Sequence, residues 1–461
     1  MGSKWGTLKL SEFAFNASRR FDFKNKEKVV FINTGDVSSG KFLHKKLISS
    51  KGLPGQAKKA IRKGDILFSE IRPNNNRFAL VDFDDCDNFV VSTKFMVLDV
   101  NQEIMDLEFF YLLLTTPKTL SDFQHIAESR SGTFPQITFD AISHYPFPFP
   151  DKKNQLLIKK VLLDITNKIE ICSRINQSLE QMSQTLFKSW FVDFDPVIDN
   201  ALNAGNPIPE ALQSRAELRQ KVRNSADFKP LPADISALFP AEFEETELGC
   251  IPKGWNIDNV GGLSENIFSG GTPNTSTEEY WNGALNWFSS GETRNAIIIE
   301  TEKKITEAGV KNSSTRLSVS GDILIASAGQ GHTRGQTSLN TIDTYINQSV
   351  VCIRPMKSYY SSWLYFNISS RYEEMRAISD SHSIRGSLTT KLIASMKVIS
   401  PTDNLISLFD TSCSTFIRKM RNNLQLSCEL KKLRDTLLPK LISGELSLED
   451  LPDLANQTEP A

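Results

Sequence analysis

The feature that most constrains this sequence is an internal repeat, because short motifs recur about 250 residues apart in unbroken order. Gly64-Asp65-Ile66-Leu67 returns unchanged as Gly321-Asp322-Ile323-Leu324, and Asn33-Thr34-Gly35-Asp36 is matched by Ser289-Ser290-Gly291-Glu292. Further matches in the same order are Trp5 with Trp255, Phe149-Pro150 with Ser400-Pro401, and Thr185-Leu186 with Thr436-Leu437. Each match alone is weak, but the collinear set predicts two copies of one folding unit.

Each copy begins with a segment of mixed pattern, at residues 1–150 and 251–401. Short β-branched and aromatic runs, such as Val29–Ile32 and Ile323–Ile325, alternate with Gly, Asn and Ser turns and with short helical stretches. This alternation is typical of compact α+β domains. We therefore predict an α+β fold with two similar domains.

A long helix is predicted after each domain, at residues 151–193 and 402–446. No Pro or Gly occurs from Asn154 to Val192, and apolar residues recur at steps of three and four, as in a coiled-coil seam. The predicted seam comprises Ile158, Leu162, Ile165, Ile169, Leu179, Met182 and Leu186, followed in the second helix by Phe409, Phe416, Met420, Leu430, Leu433 and Leu437. Matching seams favour two helices that pack on each other. The alternative is two surface helices that pack separately on their own domains.

The region between the copies, residues 194–250, is predicted to be a proline-punctuated connector. Residues 193–250 hold 5 Lys and Arg against 11 Asp and Glu, which makes the connector acidic. One helix is predicted near Pro209–Arg223. Residues 447–461 are predicted to form a polar tail.

Composition excludes several classes of protein. The six cysteines contain no Cys-x-x-Cys, and the five histidines have no metal-ligand spacing, so neither a disulfide framework nor a metal site is predicted. The longest apolar runs, such as Ala296–Ile299, are too short to span a bilayer. The first residues lack the apolar segment of a signal peptide. These features predict a cytoplasmic protein with free thiols.

No catalytic motif is complete in the sequence. The nearest is Gly35 to Lys41, which fits seven positions of a P-loop, but Phe42 stands where Ser or Thr would hold magnesium. The second copy lacks the Gly-Lys pair, so a turn shared by both copies explains Gly35 better than nucleotide binding. We also find no methyltransferase, nuclease or hydrolase motif. The chain is therefore predicted to be non-catalytic.

The net charge of −1 hides an uneven distribution, since residues 1–81 hold 17 Lys and Arg against 6 Asp and Glu. Such a basic region is typical of a surface that tracks DNA phosphates, and a solvated lysine face is the alternative. A different polar loop follows each Gly-Asp-Ile-Leu, and Arg, Asn and Gln can read base edges. The predicted DNA-binding residues are Lys41, Lys45, Lys46, Arg72, Asn74, Asn75, Arg77, Arg130, Arg294, Gln330, His332, Arg334, Gln336 and Arg385.

Several short motifs in this order resemble the DNA-specificity subunits of type I restriction–modification systems. They are Ile251-Pro252-Lys253-Gly254-Trp255, Gly270-Gly271-Thr272-Pro273, Tyr280-Trp281-Asn282-Gly283, the helix end Leu186–Phe194 and the helix end Leu437–Leu446. The resemblance covers nearly the whole chain. The first copy departs from it by lacking a Gly-Gly-Thr-Pro stretch.

The resemblance implies two target-recognition domains, separated by the two long helices packed as an antiparallel coiled coil with a pseudo-twofold axis. Each domain would read one half of a split double-stranded DNA target. The helices would dock two methyltransferase subunits, and restriction subunits, which are translocase and endonuclease, would join that core. No cofactor is expected in this chain, because S-adenosylmethionine, ATP and magnesium would belong to the partners.

Two other interpretations remain open at this point. The first is a coiled-coil interaction scaffold that does not bind DNA. The second is the recognition subunit of a related fused restriction enzyme. Sequence-specific, salt-dependent binding to duplex DNA would distinguish the specificity subunit from the scaffold.

Overall fold

The computed structural model describes residues 5–130, 135–329, 332–382, 387–443 and 446. The chain divides into two compact units. The first unit comprises residues 1–169 and 429–461, and the second comprises residues 170–428. Each unit combines one α+β domain with a segment of both long helices. The predicted tail, residues 447–461, lies outside the described residues.

The first unit is built on two four-stranded sheets. Its strands are β1 Gly6–Lys9, β2 Ala14–Asn16, β3 Lys28–Ile32, β4 Val37–Ser38, β5 Lys41–Phe42, β6 Ile48–Ser49, β7 Ala57–Ala60, β8 Ile66–Ser69, β9 Phe78–Leu80, β10 Phe89–Ser92, β11 Phe95–Val100 and β12 Pro146–Phe149. The helices are α1 Leu10–Phe13, α2 Leu107–Leu114, α3 Pro117–Arg130, α4 Phe139–Ile142 and α5 Lys152–Phe191, of which α5 enters the second unit. The strand orders are β6-β3-β10-β7 and β2-β11-β8-β9, and β1 pairs with β12.

The second unit contains a five-stranded and a four-stranded sheet. Its strands are β13 Phe243–Thr246, β14 Gly249–Pro252, β15 Asn256–Asn259, β16 Ser264–Ser269, β17 Trp281–Phe288, β18 Ile297–Ile298, β19 Lys303–Ile305, β20 Arg316–Ser318, β21 Ile323–Ala326, β22 Thr337–Asn340, β23 Thr344–Ile346, β24 Val350–Pro355 and β25 Lys397–Ser400. The helices are α6 Asp195–Ala204, α7 Gln213–Arg223, α8 Ala233–Ser236, α9 Glu307–Lys311, α10 Ser361–Ser369, α11 Tyr372–His382, α12 Thr390–Ala394 and α13 Asp403–Ser443, which continues into the first unit. The strand orders are β16-β24-β21-β22-β18 and β19-β17-β23-β20.

The two units share one strand topology. The order β2-β11-β8-β9 corresponds to β16-β24-β21-β22, and β6-β3-β10-β7 corresponds to β19-β17-β23-β20. The central pair of each second sheet, β3 with β10 and β17 with β23, is parallel, whereas the neighbours on either side are antiparallel. The terminal pairs β1-β12 and β15-β25 also correspond. Strand β18 is an addition found in the second unit.

The repeated Gly-Asp-Ile-Leu motif forms the same turn into a buried strand in both units. Gly64 and Gly321 have φ angles of 90° and 95°, a region that favours glycine. The carboxylates of Asp65 and Asp322 accept hydrogen bonds from the backbone N–H three residues earlier, at 2.6 and 2.9 Å. Burial raises the pKa of Asp65, while its ion pair with Arg19 opposes that rise. The matching sequence therefore reflects matching local chemistry.

The core of the first unit joins sheet, short helices and both long helices. Strand residues including Phe68 and Met96 are buried in one cluster with Phe109 and Phe110 of α2. The same cluster contains Ile158, Leu162, Ile165, Leu437 and Leu441. In this unit, α5 and α13 therefore contribute to one hydrophobic core.

In the second unit, α5 and α13 also contact each other. Phe187 and Phe409 are buried, and their ring centroids lie 5.9 Å apart. The amide Nδ2 of Asn423 donates to Oδ1 of Asn176 at 2.8 Å, and Nδ2 of Asn176 donates to the carbonyl of Met420 at 3.1 Å. Thus a polar pair interrupts the apolar contact at this point.

Two of the predicted seam residues were assigned wrongly. Met182 is 52% exposed and Leu433 is 36% exposed. In the first helix the buried face passes instead through Ser183, which is fully buried and donates its hydroxyl to the Leu179 carbonyl. Because a carbonyl of the same helix accepts the hydrogen bond of the hydroxyl, a serine can lie on the buried face. The apolar pattern therefore selected Met182 where Ser183 is the buried residue.

The other predicted seam residues lie on the less exposed faces of the helices. Those that are buried are Ile158, Leu162, Ile165, Phe409, Met420 and Leu437. Those that are half-buried are Ile169, Leu179, Leu186, Phe416 and Leu430.

The connector holds more structure than the single predicted helix. Helix α7 covers most of the predicted segment, and the additional helix α6 begins at Asp195-Pro196. Proline is tolerated in the first helical turn because its missing N–H has no helical partner there. Ion pairs join the two helices, from Arg215 to Asp195 at 2.7 Å and from Arg219 to Asp199. In the described part of the chain, no helix is long and apolar enough to cross a membrane.

Candidate nucleic-acid interface

Three elements of the first unit meet beside the loop that follows β8. They are the 3-10 turn Thr34–Asp36, the loop of residues 70–77 and helix α3. The Arg77 guanidinium donates to the carbonyls of Gly35 at 3.1 Å and Val37 at 2.9 Å. The backbone N–H of Asn74 donates to Oε1 of Gln124 on α3 at 3.3 Å. The loop is thus fixed between the turn and the helix.

A tight hairpin formed by β4 and β5 adjoins this loop. Ser39 and Gly40 have positive φ angles of 45° and 88°. Their backbone N–H groups donate to the carbonyls of Asn76 at 2.7 Å and Phe78 at 2.9 Å. A Cβ added to Gly40 would lie 2.9 Å from the Tyr111 hydroxyl, which leaves little space for a larger residue. The hairpin leads directly into the lysine-rich segment.

The predicted lysines of the first unit lie in an exposed basic segment. Lys41, Lys45 and Lys46 are exposed, and in the described part of the chain they form no ion pair. Residues 37–64 hold eight Lys and Arg and no Asp or Glu. Lys59 is an exception to the exposure, because its Nζ donates to the Phe95 carbonyl at 2.6 Å and burial lowers its pKa. The exposed positive charge is therefore concentrated in the segment after β5.

The remaining predicted residues of the first unit differ in their surroundings. Arg72, Asn74 and Asn75 are exposed around a short 3-10 turn, and Arg130 is exposed at the end of α3. Arg77 is half-buried, and its guanidinium is engaged by backbone carbonyls. In the unbound protein, Arg77 therefore positions the turn rather than presenting its guanidinium to solvent.

The second unit assembles the corresponding three elements. The 3-10 turn Ser290–Arg294, the loop of residues 327–336 and helix α11 meet, as far as these residues are described. The Thr293 hydroxyl donates to Oε1 of Gln336 at 3.4 Å, and the Tyr372 hydroxyl donates to the His332 carbonyl at 2.9 Å. Arg334 forms an ion pair with Asp380 of α11.

Arg77 and Gln336 occupy equivalent positions in the two units. The carbonyl of each accepts a hydrogen bond of 2.9 Å from the last residue of the preceding strand, Ser69 or Ala326. The side chain of each then bonds to the 3-10 turn of its own unit. The two polar loops identified in the sequence therefore have the same place in the fold.

The predicted residues of the second unit differ in exposure. Arg334 is 8% exposed, and Gln336 is half-buried. Arg294 and His332 are exposed, and the Arg294 guanidinium donates to the Gly291 carbonyl at 2.7 Å and pairs with Glu302. Gln330 and Arg385 lie outside the described residues.

The two 3-10 turns explain the glycine that resembled a P-loop. In the first, the Asp36 carboxylate accepts a hydrogen bond of 2.8 Å from the N–H of Asn33. In the second, Glu292 accepts one of 2.9 Å from the N–H of Ser289. The shared element is therefore a capped turn, which agrees with the interpretation that Gly35 belongs to the repeat.

A groove in the second unit lies beside Gln336 and has a volume of about 850 Å³. Its lining includes Arg371 and Tyr372, together with Glu180 and Phe187 of α5. Burial raises the pKa of Glu180. Sequence patterns missed Tyr372 and Gln124 as loop-holding residues, because an isolated polar residue on a helix carries no distinctive spacing. No cluster of three or more potential metal ligands occurs among the described residues.

The model of the family described as "Type I restriction modification DNA specificity domain" matches residues 2–181 and 252–404, and thus both copies of the repeat. The chain belongs to the family of type I restriction–modification specificity subunits. It is accordingly a specificity subunit, which is the non-catalytic component of such a system. The expectation drawn from its motifs is confirmed.

Known specificity subunits resemble the chain over most of its length. The type I restriction enzyme HindI specificity subunit of Haemophilus influenzae is 36% identical over 96% of this chain and 100% of its own length. The MjaIX specificity subunit of Methanocaldococcus jannaschii is 23% identical over 75% of this chain and 70% of its own. The crystal structure of a type I S subunit from M. genitalium covers 95% of this chain and 96% of its own, with 14% identity and a TM-score of 0.54. That likeness shows a shared α+β fold.

Proposed function

We propose that this specificity subunit reads a split duplex-DNA target, one half with each recognition domain. The first domain is residues 1–150 and the second is residues 251–401. Partner subunits would then modify or cleave the DNA that this chain selects. The observation that carries the proposal is the shared assembly of turn, loop and helix in both units.

The chemistry of these two assemblies supports reading of two different sequences. Both are held by hydrogen bonds in one framework, while the side chains that fill them differ. The first assembly adjoins exposed Lys, Arg and Asn residues, and the second contains Gln, His and Arg. Arg and Lys can contact phosphates or guanine, while Asn and Gln can pair with adenine. Two similar frameworks with different loops suit two different half-sites.

The long helices, we infer, pack as an antiparallel coiled coil around a pseudo-twofold axis. In the second unit, Asn176 contacts Asn423, while the later residue Phe187 contacts the earlier residue Phe409. In the first unit, Ile158 and Leu162 share a core with Leu437 and Leu441. Within the second unit, a residue later on α5 thus contacts a residue earlier on α13, as antiparallel helices require.

The partners of this subunit would supply the catalysis. Two copies of the framework provide two equivalent docking surfaces on the helices, which suits two methyltransferase subunits. Restriction subunits, which are translocase and endonuclease, would add to that core. S-adenosylmethionine would then be bound by the methyltransferase, and ATP and magnesium by the restriction subunits.

Co-expression with methyltransferase subunits of the same system tests this function. DNA from the expressing cells is sequenced by a method that detects methylated bases, and cells with the methyltransferase alone serve as control. We expect methylated bases within one split motif of fixed gap in cells that express this chain, and no such methylation in the control cells. Modified DNA without a split motif, or none despite an assembled complex, would contradict the proposal and favour a scaffold.

A further inference from the structure

Residues 41–51 of the first unit form an exposed segment, here called the lysine loop. We propose that Leu43 and Leu47 of this loop insert as an apolar wedge between base steps of the DNA bound by the first unit. The inference rests on the proposed function and adds to it a mode of reading, through the ease with which a base step unstacks. Pyrimidine–purine steps unstack most readily, so such a wedge would favour them.

Both leucines are held in solvent. Leu43 is 60% exposed and Leu47 is 53% exposed. Single exposed leucines are ordinary on protein surfaces, so their exposure alone carries little weight. Here it is combined with hydrogen bonds that hold part of the loop, an excess of lysine along it and the absence of an equivalent leucine pair at the matching positions of the other unit.

Hydrogen bonds and a ring contact hold the lysine loop in place. The N–H of Leu43 donates to the Asp36 carbonyl at 2.9 Å, and the N–H of Lys46 donates to Nδ1 of His44 at 3.3 Å. The ammonium of Lys45 lies 4.0 Å from the centre of the Phe83 ring. Asp36 itself belongs to the capped 3-10 turn. Because the loop is ordered before binding, insertion would cost less conformational entropy.

The charges around the leucines favour DNA over a protein as the occupant. Lys41, Lys45 and Lys46 lie close to Leu43 and Leu47 in sequence, and no acidic residue occurs from Val37 to Gly64. Carboxylates of neighbouring elements neutralise only part of this charge, through Asp36 beside His44 at 3.5 Å and Asp84 paired with Lys63 at 2.9 Å. Proteins that kink DNA insert Leu, Ile, Phe or Met between base steps from the minor groove, while cations neutralise nearby phosphates. The centre of a protein–protein interface is instead depleted in lysine. Leucines set among exposed lysines therefore match a duplex.

The second unit treats the corresponding segment differently. After its 3-10 turn, Ile297 and Ile298 form strand β18, which pairs with β22. These two side chains are 6% and 2% exposed. Apolar residues directly after the 3-10 turn are withdrawn from solvent in the first unit too, since Val37 is fully buried and Phe42 is half-buried. The exposed Leu43 and Leu47 come later, where the second unit has the half-buried Ile299 and the exposed Lys303. The wedge would act on one half-site.

The test uses the full chain in complex with its methyltransferase subunits. Once the split motif is mapped, duplexes carrying it are made with 2-aminopurine, an adenine analogue that fluoresces when unstacked, at successive positions of each half. We expect unstacking at one step of the first half, apart from the methylated position that a methyltransferase extrudes. Leu43→Ala/Leu47→Ala should abolish that signal and weaken binding about tenfold to hundredfold, because the contacts that the kinked duplex makes with the protein, which outweigh the cost of unstacking, would be lost.

Matched variants separate this role from a general loss of structure. Leu218→Ala alters a leucine that is also 53% exposed but lies on α7, and it should leave binding unchanged. Leu43→Met/Leu47→Met should keep the signal. The dependence of binding on salt should persist in all variants, because the lysines remain.

Several results would overturn the inference. One is an unchanged affinity and fluorescence in Leu43→Ala/Leu47→Ala. Another is the loss of methyltransferase subunits when the complex of Leu43→Ala/Leu47→Ala is purified, because the lysine loop would then bind a partner subunit rather than DNA. If the unaltered complex modifies no split motif, the proposed function fails first and the inference fails with it. A split motif without first-half unstacking removes the inference alone.

Discussion

The two units bring the same three elements together but present different surfaces. The first unit exposes a lysine loop beside a loop of Arg and Asn residues. The second unit buries Arg334 against Asp380 and packs Ile297 and Ile298 into a sheet. Residues 1–150 carry a net charge of +3, with 20 Lys and Arg against 17 Asp and Glu, and residues 251–401 carry +1, with 14 against 13. The units therefore differ in where the lysines lie more than in total charge.

This difference teaches where sequence variation is tolerated. Buried turns such as Gly64-Asp65 and Gly321-Asp322 are the same in both units, because their backbone geometry and capping carboxylates determine the framework. The loops between the strands have no such constraint. The first unit is therefore suited to contacts dominated by phosphate charge, and the second to contacts made by fewer side chains.

The largest expected effect is on the free energy of unfolding. It should come from substitutions of the residues that anchor the long helices, and its size should differ between the units. Phe409 and Ile158 lie 251 residues apart in sequence, at equivalent positions of the repeat. The buried Phe409 ring lies near the rings of Phe187, Phe191 and Phe366. Phe409→Ala should lower the free energy of unfolding by about 3–5 kcal/mol.

Ile158→Ala should cost less, about 2–4 kcal/mol, because a smaller side chain is removed. Urea denaturation followed by tryptophan fluorescence measures both variants. The solvent-exposed Ile171 of α5 provides a control, since Ile171→Ala removes the same atoms from a half-exposed site. A greater loss for Ile158→Ala than for Phe409→Ala would show that the units are not anchored in the same way.

A second difference lies in the polarity of the helix contacts, which include the Asn176–Asn423 pair in the second unit. Asn423→Ala should lower the free energy of unfolding by about 1–3 kcal/mol, because the Asn176 amide loses its partner in a buried place. The double variant Asn176→Leu/Asn423→Leu should recover that loss, since no unpaired amide remains. Thermal unfolding of Asn176→Leu, Asn423→Leu and the double leucine variant measures the coupling. Additive losses would mean that the two amides do not depend on each other.

Much of this architecture was predictable from the sequence, because the repeat constrains it. Motifs spaced by about 250 residues indicated two similar domains, and the observed strand orders agree with that expectation. Helix α6 escaped prediction because Pro196 occupies a first turn, where proline is favoured rather than disruptive. Met182 was chosen over Ser183 because apolar character was used as the signal for burial.

The site was less predictable than the fold. The equivalence of the two polar loops followed from their place after Gly-Asp-Ile-Leu, and their hydrogen bonds agree with it. The role of Arg77 did not follow, because a sequence does not reveal whether a guanidinium meets solvent or a carbonyl. Its bonds to Gly35 and Val37 depend on a turn some forty residues earlier in the chain.

The clustering of exposed lysines in the first unit predicts unequal contributions of the two units to DNA affinity. Lys41→Ala/Lys45→Ala/Lys46→Ala should weaken binding of the assembled complex about tenfold to hundredfold near physiological salt. The slope of log affinity against log salt should fall by about two to three, because each lost phosphate contact releases about one counterion fewer. Titration of fluorescent duplex at several salt concentrations measures both quantities.

A matched control for the lysines exists in the second unit. Lys303, Lys304 and Lys311 are also exposed, and replacing all three with alanine removes the same charge. This variant should weaken binding less than the first-unit variant. Equal losses would indicate general attraction to the duplex rather than a phosphate-binding surface on the first unit.

The smallest and most specific effect, on discrimination between bases of one half of the target, should come from substitution of the equivalent residues Arg77 and Gln336. Arg77→Ala removes the hydrogen bonds to Gly35 and Val37, so the turn and hairpin of the first unit lose a support. Gln336→Ala removes the contact with Thr293 in the second unit. Methylation of duplexes that carry single-base changes in either half measures the result. We expect about a tenfold loss of discrimination in one half, and a different half for each variant.

Two further variants sharpen this reciprocal test. Arg77→Lys keeps the charge but lacks the planar guanidinium that reaches both carbonyls, so it should behave like Arg77→Ala if Arg77 acts by positioning. If Arg77 instead contacts a phosphate, lysine should restore binding and the salt dependence with it. Arg334→Ala should affect the same half as Gln336→Ala, because both residues belong to the loop beside α11. A uniform loss across both halves would mean that the two units do not read DNA independently, and the division of the target between them would have to be abandoned.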